Sequence, residues 1–126
     1  MLRFFRIWLS VGWLMVLLVW YFSLMSDPPV FKIEFEYLDK VEHFISYFVL
    51  MAWFSQLYKT FQARLFYVLF FVSMGVTLEV LQGLGGVRFF EYSDMLANTL
   101  GVVTAWLITR TRLNNVLLSF EKMLGK

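Results

Sequence analysis

The chain has 126 residues, 60% of them apolar and 21% aromatic with 16% charged, a balance that excludes an ordinary soluble domain, which at this length could not bury so much apolar surface. Its formal net charge is +2, but the basic residues stand in pairs between apolar runs and form no stripe, which excludes a nucleic-acid surface. With no cysteine, disulfides and thiolate metal sites are excluded too. Lipid is left to cover the remaining surface. The expected fold class is an all-α membrane protein: a small bundle of four transmembrane helices with a C-terminal amphipathic helix, one domain over residues 1–126.

Ile7 to Met25 is a nineteen-residue run without charge, close to the roughly 20 residues a helix needs to cross about 30 Å of hydrocarbon. Arg3 and Arg6 ahead of it also fit a signal peptide, but the run exceeds the roughly 7–15-residue core of one, and no small-x-small cleavage pattern follows. After Pro28 and Pro29, Lys32-Ile33-Glu34-Phe35-Glu36-Tyr37 alternates polar and apolar, the period of an extended segment lying on an apolar rim. Phe44 to Tyr58, Leu65 to Leu84 and Met95 to Thr109 supply three further spans. Two of these have fifteen residues and cover only about 22 Å, so they must recruit flanking polar residues or thin the bilayer. Leu113, Val116, Leu117, Phe120 and Leu124 then recur at helical spacing among Arg112, Asn114, Asn115 and Lys122, as in an interfacial helix. Trp13, Trp20, Trp53 and Trp106 are expected to face lipid or its boundary.

Lysine and arginine positions orient the spans. Arg3, Arg6, Lys59, Arg64, Arg110, Arg112, Lys122 and Lys126 fall on one side, against Lys32, Lys40 and Arg88 on the other. Both termini are therefore expected in the cytoplasm, and eight of the nine acidic residues at the outer end.

Polar residues collect at that outer end. Asp39, Lys40 and His43 enter the second span, with Asp39 and His43 on one helical face. Glu79 and Gln82 end the third span and share a face. Gly83-Leu84-Gly85-Gly86 leads to Arg88, and Ser93 or Asp94 can cap the fourth span. Asp94 and Asn98 are four apart, with Gly101 continuing their face inward. An ionisable residue within a span costs a few kcal/mol and usually faces the bundle interior; Glu79 is the clearest case. Gly75 and Gly101 would let helices approach closely and bring their polar ends together.

In order, Asp39-Lys40-Val41-Glu42-His43-Phe44 with Tyr47, then Glu79-Val80-Leu81-Gln82, then Arg88, then Ser93-Asp94-Met95-Leu96-Ala97-Asn98 with Gly101, resemble the VanZ-like family of bacterial integral membrane proteins. Ala105 departs from the glycine of many members but still permits close packing. The resemblance spans residues 39 to 105. It implies a helical protein of the bacterial cytoplasmic membrane and cell envelope, in a family named for a low-level teicoplanin-resistance determinant, and implies no known reaction.

Two functional readings share one outer pocket. In the first, Asp39, Lys40, Gln82, Arg88 and Asn98 bind a lipid head group or a lipid-linked cell-wall precursor. In the second, the protein is a membrane-embedded hydrolase or transferase acting on a phosphorylated lipid-linked substrate. His43 is then the acid or base, with Glu79 and Asp94 orienting it, or a divalent cation such as Mg is held among Asp39, His43, Glu79 and Asp94. A single histidine excludes two-histidine phosphatase chemistry and imidazole-rich zinc sites. A third, structural reading makes the polar groups a network that keeps a small bundle in register.

Overall fold

The computed structural model describes residues 2–24, 38–85, 92–111 and 113–125, apart from the side chains of Leu38 and Asp39. These residues form five helices and no strand: α1 Phe5–Leu24, α2 Leu38–Leu57, α3 Phe61–Leu84, α4 Tyr92–Thr109 and α5 Val116–Leu124. The expected all-helical class is observed, and the extended segment expected at 32–37 lies outside the described residues. α1 and α3 are long and apolar enough to cross a membrane. α2 has 20 residues and α4 has 18, about 30 and 27 Å at 1.5 Å per residue, but each opens with a polar turn. The short apolar runs gain their length by drawing polar residues into the helix: α2 starts six residues ahead of Phe44 and α4 three ahead of Met95.

The helix starts have different local causes. Thr60 caps α3, its Oγ1 accepting from the Ala63 N–H at 3.2 Å, which satisfies one of the amides that a helix start leaves without a partner. α1 has no such residue beside it. The amides just ahead of it are met from the far end of the chain, where Glu121 of α5 accepts from the Arg3 and Phe4 N–H groups at 2.6 and 2.9 Å and from the Trp8 indole of α1 at 2.5 Å. α5 is thus docked by buried Glu121 and Leu117, while Val116, Phe120 and Leu124 of its apolar stripe stay exposed. α4 begins at Tyr92, so Ser93 and Asp94 lie inside its first turn and not ahead of it as the cap expectation required.

The tightest packing joins α2 to α4. Ala97, Gly101 and Ala105, one turn apart, are all buried, and a Cβ added at Gly101 would lie 2.3 Å from the Phe44 carbonyl oxygen. Only glycine allows this backbone approach. Around it Leu50, Met51, Phe54, Phe71, Val102 and Ala105 are almost fully buried, and Tyr67 stacks on Phe54 and Tyr58 at centroid distances of 4.7 and 5.1 Å. α1 is peripheral: it buries only Gly12 and Val16 and leaves Ile7, Leu14, Leu17 and Tyr21 more than half exposed. Trp13 and Trp53 are less free than belt residues would be. Trp13 meets Phe54 edge-on at 5.2 Å, and the Trp53 indole donates to the Trp8 carbonyl at 2.9 Å, so both hold α1 to the bundle.

Candidate functional site

α2 and α4 begin at the same end of the bundle, and their first turns carry most of the polar side chains singled out in the sequence. Lys40, His43 and Tyr47 share one face of α2, and Asp94, Asn98 and Gly101 share one face of α4. With Gly101 against the α2 backbone, these faces oppose each other rung by rung. Lys40 Nζ donates to Asp94 Oδ1 at 2.5 Å. One turn deeper, His43 Nδ1 lies 3.0 Å from Asn98 Oδ1, and in the tautomer with a proton on that nitrogen the imidazole donates to the amide oxygen. His43 Nε2 is 3.7 Å from Asp94 Oδ2, which ties the two rungs together. Below them, a Cβ at Gly75 of α3 would touch Asn98 at 3.1 Å and Tyr47 at 3.4 Å.

That contact fixes where Glu79 sits. It follows Gly75 by one turn on the same face of α3, about 6 Å farther toward this end, and it is 1% exposed. It therefore stands at the level of His43 and Asp94. The alternative, Glu79 and His43 at opposite depths, is excluded by the shared contact of Gly75 with Asn98. A carboxylate and an ion pair at this burial are costly unless partnered.

Not every expected residue joins this ladder. Gln82 is buried, but its amide donates to the Ser23 carbonyl at 2.6 Å, closing the C-terminal end of α1 instead of facing the other polar groups. Arg88 and the Asp39 side chain lie outside the described residues. Among the described residues no three His, Asp or Glu side chains are placed to hold a metal ion, and the Lys40 ammonium on Asp94 stands where a cation would have to go. Tyr47, which the sequence offered as part of the family motif and not as a binding or catalytic residue, is buried between Gly75 and the ladder, four residues after His43.

A second polar assembly, at the opposite end, was not foreseen at all. Arg64, counted in the sequence as a membrane-flanking charge, is buried. Its Nε donates to the Tyr58 carbonyl at 2.8 Å, and its Nη2 to the Ser55 carbonyl at 2.6 Å and to Asn114 Oδ1 at 2.8 Å. The Gln56 amide donates to the Leu113 carbonyl, and its oxygen accepts from the Leu117 N–H at 3.1 Å. These bonds lock the turn before α5 onto the end of α2.

The described residues thus define an all-helical bundle with a buried polar ladder, in which two helices are long and apolar enough to cross a membrane. A family model described as VanZ/LLP1 matches residues 3–116, and the chain belongs to that family. Neither curated proteins nor solved structures yield a match.

Proposed function

We propose that the chain is a cell-envelope protein that crosses the bacterial cytoplasmic membrane four times with both termini in the cytoplasm. Its Lys40, His43, Asp94 and Asn98 form the floor of an outer-face site for a lipid head group or a lipid-linked cell-wall precursor. The observation that carries this reading is the ladder itself: an ion pair and an imidazole–amide pair gathered at the end of the bundle away from both termini, with the Lys40 side chain 25% exposed. A lipid solvent is supported by α1, which is long and apolar enough to cross a membrane and leaves leucines and aromatics exposed along its length. Arg88 would bring a guanidinium suited to a phosphate or carboxylate.

The hydrolase or transferase reading has one observation in its favour, the approach of His43 Nε2 to the Asp94 carboxylate, an arrangement that orients imidazoles in acid–base catalysis. Against it, both ring nitrogens face protein groups, Asn98 on one side and Asp94 on the other, and a catalytic base needs one turned to its substrate. Binding is the better supported use.

The family's namesake trait supplies the measurement. Teicoplanin susceptibility is compared in cells expressing wild type, Lys40→Met, His43→Ala, Arg88→Ala and Asp94→Asn at matched membrane levels. The binding reading expects each variant to return cells to the susceptibility of those lacking the protein while folded yield holds. Unchanged susceptibility in all four would remove the site, and a loss that follows folded yield would make the ladder structural. Turnover of a lipid-linked phosphate by purified protein would decide for the enzyme.

A further inference from the structure

At the other end of the bundle, where α2 and α4 finish and α1 and α3 start, lies a half-open cavity of about 900 Å³, a size typical of ligand sites. Lys59, Arg64 and Arg110 line it together with Phe5, Phe61 and Trp106. Among the described residues no carboxylate forms an ion pair with any of the three cations. Burial first and the neighbouring Arg64 second hold the Lys59 ammonium below its ordinary range, as expected of a cation lacking a counter-charge.

Part of this positive charge is used by the fold. Arg64 caps the carbonyl end of α2 and lies 3.5 Å from the Thr109 carbonyl at the end of α4. The negative ends of α2 and α4 therefore engage Arg64, while Lys59 and Arg110 have no charged partner among the described residues. Lys59 donates only to neutral acceptors, the Asn114 carbonyl and, at 3.4 and 3.5 Å, the side-chain oxygens of Asn114 and Asn115. Arg110 lies 5.5 Å over the Trp106 ring and has no hydrogen-bond acceptor among the described residues.

We propose that this cavity binds the phosphodiester of an anionic glycerophospholipid. Lys59 and Arg110 take the phosphate oxygens, and Phe5, Phe61 and Trp106 take the glycerol and first acyl carbons. Aromatic side chains favour the depth at which a bilayer meets water, and basic pockets between membrane helices at that depth attract anionic head groups. Inorganic phosphate shares the anion but offers nothing to the rings, which is why a lipid fits better. The inference uses the membrane arrangement proposed above and is independent of the ladder.

The test is thermal unfolding of the purified full chain in neutral detergent with added phosphatidylglycerol, phosphatidylcholine or inorganic phosphate. Phosphatidylglycerol is expected to raise Tm saturably, with no comparable shift from the other two. Arg110→Gln should weaken the apparent affinity about tenfold or more, the loss of one charge-assisted hydrogen bond. Arg110→Lys, which keeps the charge, should recover part of it and separates lost binding from altered folding. Equal shifts by phosphatidylcholine, or a Lys59→Gln/Arg110→Gln double variant that responds like wild type, would overturn the site. A shift by inorganic phosphate alone would overturn the lipid assignment.

Discussion

Glu121 illustrates how one side chain can act across the length of a chain. Its desolvation disfavours the charge, yet hydrogen bonds from Phe4, Trp8 and Arg3 hold the carboxyl below its ordinary range. A carboxylate whose folded value lies below its unfolded one, near 4.3, contributes stability that is fully present above the unfolded value and is lost as pH falls through the folded one. The wild type should therefore lose melting temperature on acidification from about pH 6 to about pH 3, and Glu121→Gln should lose less over the same interval and melt lower at neutral pH. Identical acid profiles for the two proteins would show that the contact contributes nothing. Nothing local in the sequence announced this role, because the amides that Glu121 meets are more than a hundred residues away. Lys40, His43, Asp94 and Asn98 were legible for the opposite reason: their spacing of three or four residues fixes a shared face whatever the partner turns out to be.

Among the elements, α2 and α4 show where hydropathy succeeds and where it stops. Their apolar parts were evident from composition. Their first turns were not, since charges there are tolerated only by pairing across helices, and that pairing is tertiary information. Gly101 marked the place where the two could meet, and the approach to the Phe44 carbonyl is the contact that its missing side chain permits. Arg64 is the converse case. A basic residue at a span end ordinarily faces water or lipid phosphate, and only the arrival of α2 and of the turn before α5 at one point turns it inward. Its planar fork serves the Ser55 and Tyr58 carbonyls from two fixed nitrogens, Nη2 and Nε, a spread that the single nitrogen of an ammonium does not reproduce. Arg64→Lys should leave at least one buried carbonyl unsatisfied, at a cost of about 1–3 kcal/mol, seen as a lower melting temperature in detergent with the helical spectrum retained. A variant that melts with the wild type would show that the fork is dispensable.

At the scale of the whole molecule, the bundle has two chemically distinct ends. One gathers Lys40, His43, Glu79, Asp94 and Asn98; the other gathers Lys59, Arg64 and Arg110 around an aromatic cleft. The arrangement proposed above has the second end in the cytoplasm, and both the proposed outer binding site and the proposed inner lipid site depend on that division. Because the native chain has no cysteine, single cysteines can report it without background. Tyr92, 77% exposed at the start of α4, and Thr111, exposed just past its end, mark the two ends. The decisive measurement is labelling of Tyr92→Cys and Thr111→Cys in bacteria whose outer barrier admits a maleimide that cannot cross the cytoplasmic membrane. The two-sided arrangement predicts that residue 92 reacts in intact cells and residue 111 only after that membrane is permeabilised. Reaction of both positions from the same side, or of neither until permeabilisation, would contradict it.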